Sequence, residues 1–179
     1  MIKQINWVFL VAGTFIMIYI MISTGRSLTT TATPRGILDL ELAYNSTRAN
    51  AVINAWKITG ANGIANTRIA VKNTWLDFIF IFFYSLFLFY SCKTIAESFT
   101  GIAQKLGLLL AMGALNAGLL DIAENAGMLT TLNGFLNNGI CMFTAICSMI
   151  KWTLALSALV YLLLAGPFAL YWKIKRNNP

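Results

Sequence analysis

Residues 107–128 read GLLLAMGALNAGLLDIAENAGM, and this stretch decides the fold of the chain. Its first part is apolar and rich in small residues, whereas its last part carries Asp121, Glu124 and Asn125. An apolar run of this length predicts a membrane-spanning helix, because about 20 such residues cross the hydrocarbon core. Charges inside a span are costly and usually face a partner or a cavity. The same helix is therefore a span and a candidate functional site.

One face of this helix is almost bare of side chains. Small residues recur four positions apart, as the pairs Gly107/Ala111, Gly113/Ala117 and Ala114/Gly118. Small residues at this spacing let helices approach closely in lipid. We expect this helix at the centre of a bundle, and the same face is also suited to a homo-oligomer.

Four segments are apolar enough to cross a membrane, at about 5–22, 69–92, 102–128 and 142–172. The whole chain is 58% hydrophobic and 11% charged, whereas soluble domains carry about a quarter charged residues. We predict an all-α membrane protein, a four-helix transmembrane bundle with an extracytoplasmic helix between the first two spans. Residues 1–179 are expected to form a single integral membrane domain. The first span is interpreted as a retained signal-anchor, because Ser23-Thr24-Gly25 is a poor cleavage site.

The short loops indicate an orientation. Lys93 and Lys105 flank the link between the second and third spans, and the C-terminus carries further lysines and an arginine, whereas residues 130–140 are uncharged. The positive-inside rule then places both termini in the cytoplasm of a multi-pass protein in a bacterial inner membrane. Basic residues between the first two spans argue against this, but longer outer segments follow the rule less strictly.

The segment between the first two spans predicts a helix at about 35–58. Thr33-Pro34 has the pattern of an N-cap followed by proline at the first helical position. We expect this helix to lie on the mouth of the bundle with Trp56 at the membrane interface; a simple linker helix is the alternative. Asn45-Ser46-Thr47 also matches a short glycosylation sequon.

Composition excludes several classes of function. The net charge is +7, but the basic residues are scattered and form no stripe, so no nucleic-acid partner is predicted. Histidine is absent, which removes the commonest metal ligand and general base. We predict no cofactor, no metal site and no catalytic residue. The three cysteines lack CxxC spacing and are interpreted as buried thiols, and isolated serines such as Ser148 are expected to bond to their own helix.

Ionisable residues from three spans fall at one depth. Asp77 lies about two turns into the second span, and Lys151 lies two to three turns into the fourth. Asp121, Glu124 and Asn125 share one face of the third, at i, i+3 and i+4. The predicted ligand-binding residues are Asp77, Asp121, Glu124, Asn125, Lys151 and Glu41, the last closing the site from the outer helix. Asn116 offers a further hydrogen-bonding group deeper in the third span.

Three functions remain open for this cluster. It binds a polar ligand, ion or protein partner near the outer leaflet, and closely spaced carboxylates there would hold at least one proton. Alternatively, the protein is a structural or assembly subunit whose buried ions only fix helix packing. The third alternative is a membrane enzyme acting on a lipid headgroup or isoprenoid. The expected partners are the lipid bilayer and, for the first function, a lipid or small polar ligand.

The pattern of polar residues resembles that of a group of small bacterial integral membrane proteins with four spans. The matching pieces are Thr33-Pro34-Arg35-Gly36-Ile37, Glu41-Leu42-Ala43, Trp56, Asp77-Phe78, Tyr84, Asp121-Ile122-Ala123-Glu124-Asn125, Lys151-Trp152 and Tyr161. The resemblance covers most of the chain. It implies the four-span fold and the choice of polar positions, and it implies no activity.

Overall fold

The computed structural model describes residues 7–58 and 65–177, and every regular element in these ranges is helical. The elements are α1 (Trp7–Gly25), a 3₁₀ turn (Arg26–Leu28), α2 (Leu38–Glu41), α3 (Ser46–Ile58), α4 (Asn66–Ala96), α5 (Gly101–Leu132) and α6 (Asn138–Asn177). The helices α1, α4, α5 and α6 are long and apolar enough to cross a membrane. The predicted fold class is confirmed. Each predicted span coincides with one of these helices, except that residues 5 and 6 lie outside the described ranges.

The second span is the helix around which the bundle is built. Within the described residues, α4 packs against α1, α5 and α6, whereas α5 packs against α4 and α6. The expectation that the third span occupies the centre is therefore wrong. The reason is that α4 has contact residues on more than one side: Phe83 packs against Gly13 and Phe9 of α1, and Ser85 lies against Gly118 of α5.

The small-residue face of α5 does allow close approach to its two neighbours. A methyl group on Gly118 would lie 2.9 Å from Cβ of Ser85 in α4. Gly107 leaves room for the ring of Tyr161, and Gly127 for the hydroxyl of Thr144, both in α6. In lipid the hydrophobic effect does not drive helices together, so close contacts of this kind stabilise the bundle by van der Waals packing.

The helix predicted at 35–58 is two helices. Gly36 has a φ of 62°, in the left-handed region, and residues 33–36 form a turn in which the Gly36 amide donates to the Thr33 carbonyl at 3.0 Å. Pro34 suits the second position of that turn. The hydroxyl of Thr33 does not cap a helix but donates to the Leu28 carbonyl at 2.8 Å. The helix α2 therefore begins only at Leu38.

A second break separates α2 from α3. The Asn45 side chain accepts a hydrogen bond from the Arg48 amide at 2.9 Å, which is the geometry of a helix N-cap. Asn138, at the start of α6, also accepts from the Ser46 amide at 2.8 Å and from its hydroxyl at 2.7 Å. These hydrogen bonds satisfy donors at the start of α3, and the two that Asn138 accepts also tie α3 to α6.

Residues 26–58, which we call the α2–α3 layer, cover one end of the bundle. Its apolar residues pack together with Ala70 of α4, Met128 of α5 and Cys141 of α6. Trp56 is fully buried in this layer, and its indole N–H donates to the Leu28 carbonyl at 3.0 Å. The prediction of Trp56 at the membrane interface is wrong, because the indole finds its partner inside the protein.

Candidate functional site

Lys151 is the centre of a buried ionic cluster beneath the α2–α3 layer. Its ammonium nitrogen lies 2.6 Å from Oδ1 of Asp121, 2.9 Å from each carboxylate oxygen of Glu124 and 3.6 Å from Oε2 of Glu41. Lys151 is 6% exposed and Glu124 is not exposed at all. Short contacts between ionised groups are the strongest class of hydrogen bond. One ammonium thus joins α2, α5 and α6.

The antiparallel packing of α5 and α6 brings these groups to one depth. Residues 133–137 form a short link between the two helices, and Asp121 and Lys151 lie at comparable distances from it along their helices. Asp121 and Glu124 are three residues apart, so they project from the same face of α5 toward α6. The sequence spacing that predicted the cluster is the spacing that assembles it.

The helix α4 joins the cluster through two further hydrogen bonds. Nδ2 of Asn125 donates to Oδ2 of Asp77 at 2.8 Å. The Tyr84 hydroxyl donates to Oδ2 of Asp121, also at 2.8 Å. Tyr84 was not among the predicted site residues, although it lies seven positions after Asp77 and therefore shares its helix face. The structure thus brings together all the predicted residues and adds a phenol.

The helix α2 contributes Glu41, which is 7% exposed. Besides its contact with Lys151, Oε2 of Glu41 accepts from the Ser148 hydroxyl at 3.2 Å and from the Trp152 indole at 3.4 Å. The expectation that Ser148 bonds to its own helix is wrong, because the buried carboxylate is within its reach. Ser148, Lys151 and Trp152 stand at i, i+3 and i+4, a spacing that marks one face of α6.

Two other sequence predictions concern polar groups outside the cluster. Asn116 is exposed and its Nδ2 donates to the Met112 carbonyl in its own helix at 3.0 Å, so it is not part of the site. Cys92, Cys141 and Cys147 are free thiols with buried side chains, as predicted.

The charges of the cluster do not balance. The cluster holds four carboxyl groups, those of Glu41, Asp77, Asp121 and Glu124, and a single ammonium, which contacts all of them except Asp77. Lys151 already fills the space among three of them. Within residues 7–58 and 65–177, no group of three or more His, Cys, Asp or Glu side chains is arranged to hold a metal ion. Because unpaired buried charge is expensive, the cluster has to take up positive charge, either as protons or from a ligand.

The cluster forms one end of a large cavity, which we call the α1–α6 cleft. The cavity has a volume of about 750 Å³ and lies between α1 and α6, with α4 as its floor. Glu41, Asp77, Asp121, Asn125 and Lys151 line its polar end. The remainder is mostly apolar and is lined by residues such as Phe15, Ile18, Phe80, Phe87, Leu156 and Leu159. Ligand pockets typically measure about 300–1,000 Å³ and combine apolar walls with a few polar groups.

The cleft is open toward lipid rather than enclosed by helices. Both α1 and α6 pack on α4, but within the described residues they make almost no contact with each other. Phe15 of α1 and Leu156 of α6 line the cleft and are also at least half exposed, at 65% and 50%. A molecule dissolved in the bilayer can therefore reach the cleft sideways.

Comparison with known proteins leaves this geometry as the basis for any functional assignment. No family model, no curated protein and no solved structure matches the chain. The resemblance to small four-span proteins stays a prediction. The chain is an all-helical membrane protein with an ionic cluster at one end of an apolar cleft.

Proposed function

We propose that the protein binds a membrane-soluble amphiphile in the α1–α6 cleft, with the polar head of the ligand at the ionic cluster. The observation that carries this proposal is the continuity of the cavity: Asp77, Asp121 and Lys151 line the same space as Phe15, Phe80 and Leu156. A purely polar ligand would leave the apolar walls unused, and a purely apolar one would leave the polar groups unmatched.

The polar end of the cleft is organised before any ligand arrives. Tyr84 and Lys151 hold the two oxygens of Asp121, while Asn125 holds one oxygen of Asp77. Groups fixed in this way lose little freedom on binding, which favours affinity. With both termini in the cytoplasm, as the loop charges predict, this end lies in the outer leaflet and the ligand enters from that leaflet.

A structural role for the same cluster is the second candidate. Lys151 reaches α2 and α5 from α6, so it fixes how three elements meet. Buried ion pairs rarely add net stability but can specify one arrangement. The two candidates differ at Asp77, which lines the cleft but is not within ion-pair distance of Lys151. A packing role explains Lys151 and the bond that Asp77 accepts from Asn125, but it gives no role to Oδ1 of Asp77, to which no described residue donates.

The proposal is tested by blocking the cleft. Leu156→Trp adds bulk inside it, whereas Leu163→Trp adds the same bulk on a part of α6 that is 62% exposed and does not line it. The proteins are purified in mild detergent, and bound amphiphiles are extracted and identified by mass spectrometry. We expect an amphiphile with the wild type and with Leu163→Trp, and a large loss of it with Leu156→Trp.

The outcome has a clear opposite. If all three proteins retain the same lipids in the same amounts, those lipids come from the outer surface of the bundle and the cleft is not their site. Elution as a single folded species by size-exclusion chromatography is required of both variants, so that loss of ligand is not loss of fold.

A further inference from the structure

We infer that the α1–α6 cleft selects an amphiphile with a protonated amine head, which Asp77 receives. This inference rests on the proposed function and specifies the class of ligand. It starts from a difference among the carboxylates. Lys151 contacts Asp121, Glu124 and Glu41 within 4 Å but does not reach Asp77.

Asp77 retains a free bonding position. Its Oδ2 accepts from Asn125 at 2.8 Å, and no described residue donates to its Oδ1. By contrast, one oxygen of Asp121 is held by Lys151 and the other by Tyr84. Asp77 is half-buried and lines the cleft, so its unused oxygen is accessible to a ligand.

The charges around this position favour a cation. Three further carboxyl groups lie in the same cluster, and their one ammonium is already shared among them. A ligand ammonium brings three N–H donors and positive charge into a region where water is scarce. Charge-assisted hydrogen bonds are about twice as strong as neutral ones. An anionic head would instead meet the carboxylates, and a neutral hydroxyl would leave the charge imbalance in place.

The two arginines that line the cleft do not reverse this preference. Arg35 is paired with Asp39, with 2.7 Å between its guanidinium and Oδ1, and its side chain is 58% exposed. Arg26 is also exposed, at the end of α1. Charges in contact with water are screened within about 10 Å at ordinary ionic strength. The two arginines therefore act at the water-exposed rim of the cleft. Asp77 lies one turn further into the bundle than Asn73 on α4 and is further from water.

The apolar part of the cleft completes the description of the ligand. Aromatic side chains from two helices, Phe15, Phe80 and Phe87, line it, and the space opens sideways between α1 and α6. A single alkyl or isoprenoid chain fits such an opening, because it lies in the gap with its free end in the surrounding lipid. The inferred ligand is therefore a long-chain amine.

The test compares three probes of equal chain length: hexadecylamine, hexadecanol and palmitate. Each is titrated into the full-length protein in nonionic detergent, and thermal unfolding is followed. We expect saturable stabilisation in the order amine, alcohol, carboxylate, since a ligand that binds only the folded state raises the unfolding temperature. Asp77→Asn should reduce the affinity for the amine about tenfold or more and leave that for the alcohol unchanged. Glu97→Gln is the matched control, because this exposed carboxylate lies outside the cleft.

The outcomes separate the inference from the proposed function. Equal stabilisation by amine and alcohol in the wild type overturns the preference for a cation but leaves amphiphile binding intact. Retention of the amine preference by Asp77→Asn overturns the role of Asp77. If none of the probes stabilises the wild type and the cleft-blocking experiment is also negative, the proposed function itself is wrong. The wild-type comparison decides the cation preference even if Asp77→Asn does not fold.

Discussion

At the scale of single residues, the protein depends on one buried ammonium. Lys151 is 6% exposed, and none of its three carboxylate partners is more than 7% exposed. Removing water from such groups costs several kcal/mol per ion, and the attraction between them offsets that cost only while every partner is present. Removing one partner should therefore destabilise the protein far more than replacing all the partners by neutral side chains.

This asymmetry gives a prediction for Lys151. We expect Lys151→Met to lower the free energy of unfolding by about 3–5 kcal/mol, because it leaves Glu41, Asp121 and Glu124 buried without a cation. Adding Asp121→Asn and Glu124→Gln to the same protein should restore most of that loss. Thermal unfolding in detergent measures both, with the exposed Lys105→Met as the control. If the triple variant is no more stable than Lys151→Met, neutralising Asp121 and Glu124 does not compensate for the loss of the ammonium, and the prediction is wrong.

At the scale of elements, the contact between α4 and α5 depends on the absence of side chains. The nearest atom to a methyl group on Gly118 would be Cβ of Ser85 at 2.9 Å, which cannot move without its helix. On Gly113, five residues earlier in α5, the nearest atom would be a methyl of Leu154 at 3.6 Å, an ordinary contact. The two glycines therefore make a matched pair.

We expect Gly118→Ala to destabilise the protein by about 1–3 kcal/mol, because it forces α4 and α5 apart. Gly113→Ala should be neutral or stabilise by up to about 1 kcal/mol, since alanine is the better helix former. The melting temperatures of the two variants in the same detergent measure the difference. Equal effects would mean that the helices shift freely and that the close packing carries little energy.

The elements also show which parts of the fold and site were predictable. The polar face of α5 was predictable, because Asp121, Glu124 and Asn125 follow helical spacing. Charges in a membrane span also have to be kept away from lipid, whichever helices lie next to it. The broken segment at 35–58 was not predictable, because the left-handed turn at Gly36 and the cap at Asn45 compete with an otherwise regular helix. Trp56 was misplaced for a related reason: its partner, the Leu28 carbonyl, lies far away in sequence.

At the scale of the whole molecule, the α2–α3 layer and the link between α4 and α5 lie at opposite ends of the bundle. The loop charges predict that the α4–α5 link is cytoplasmic. We therefore expect Asn133→Cys, in the α5–α6 link, to react with a membrane-impermeant maleimide in intact cells. Ser98→Cys, in the α4–α5 link, should react only after lysis. Both positions are exposed, and the buried native thiols make the wild type the blank.

The reverse labelling pattern would invert the orientation and move the proposed ligand entry to the inner leaflet. The packing within the bundle would be unaffected by that result. Four helices, the ionic cluster and the cleft form one structure that can be described without reference to either side of the membrane. Only the source of the ligand depends on the orientation.

The position of Lys151 in the chain has a consequence for biogenesis. Glu41, Asp121 and Glu124 are all synthesised before Lys151, the cation that they share, because Lys151 belongs to α6. During translation, α5 therefore leaves the ribosome with acids that have no counter-ion, and its stable residence in lipid has to wait for α6. The short link between them suits insertion of the two helices as a single hairpin. A nascent chain cut off before Lys151 would leave Asp121 and Glu124 in lipid without their counter-ion.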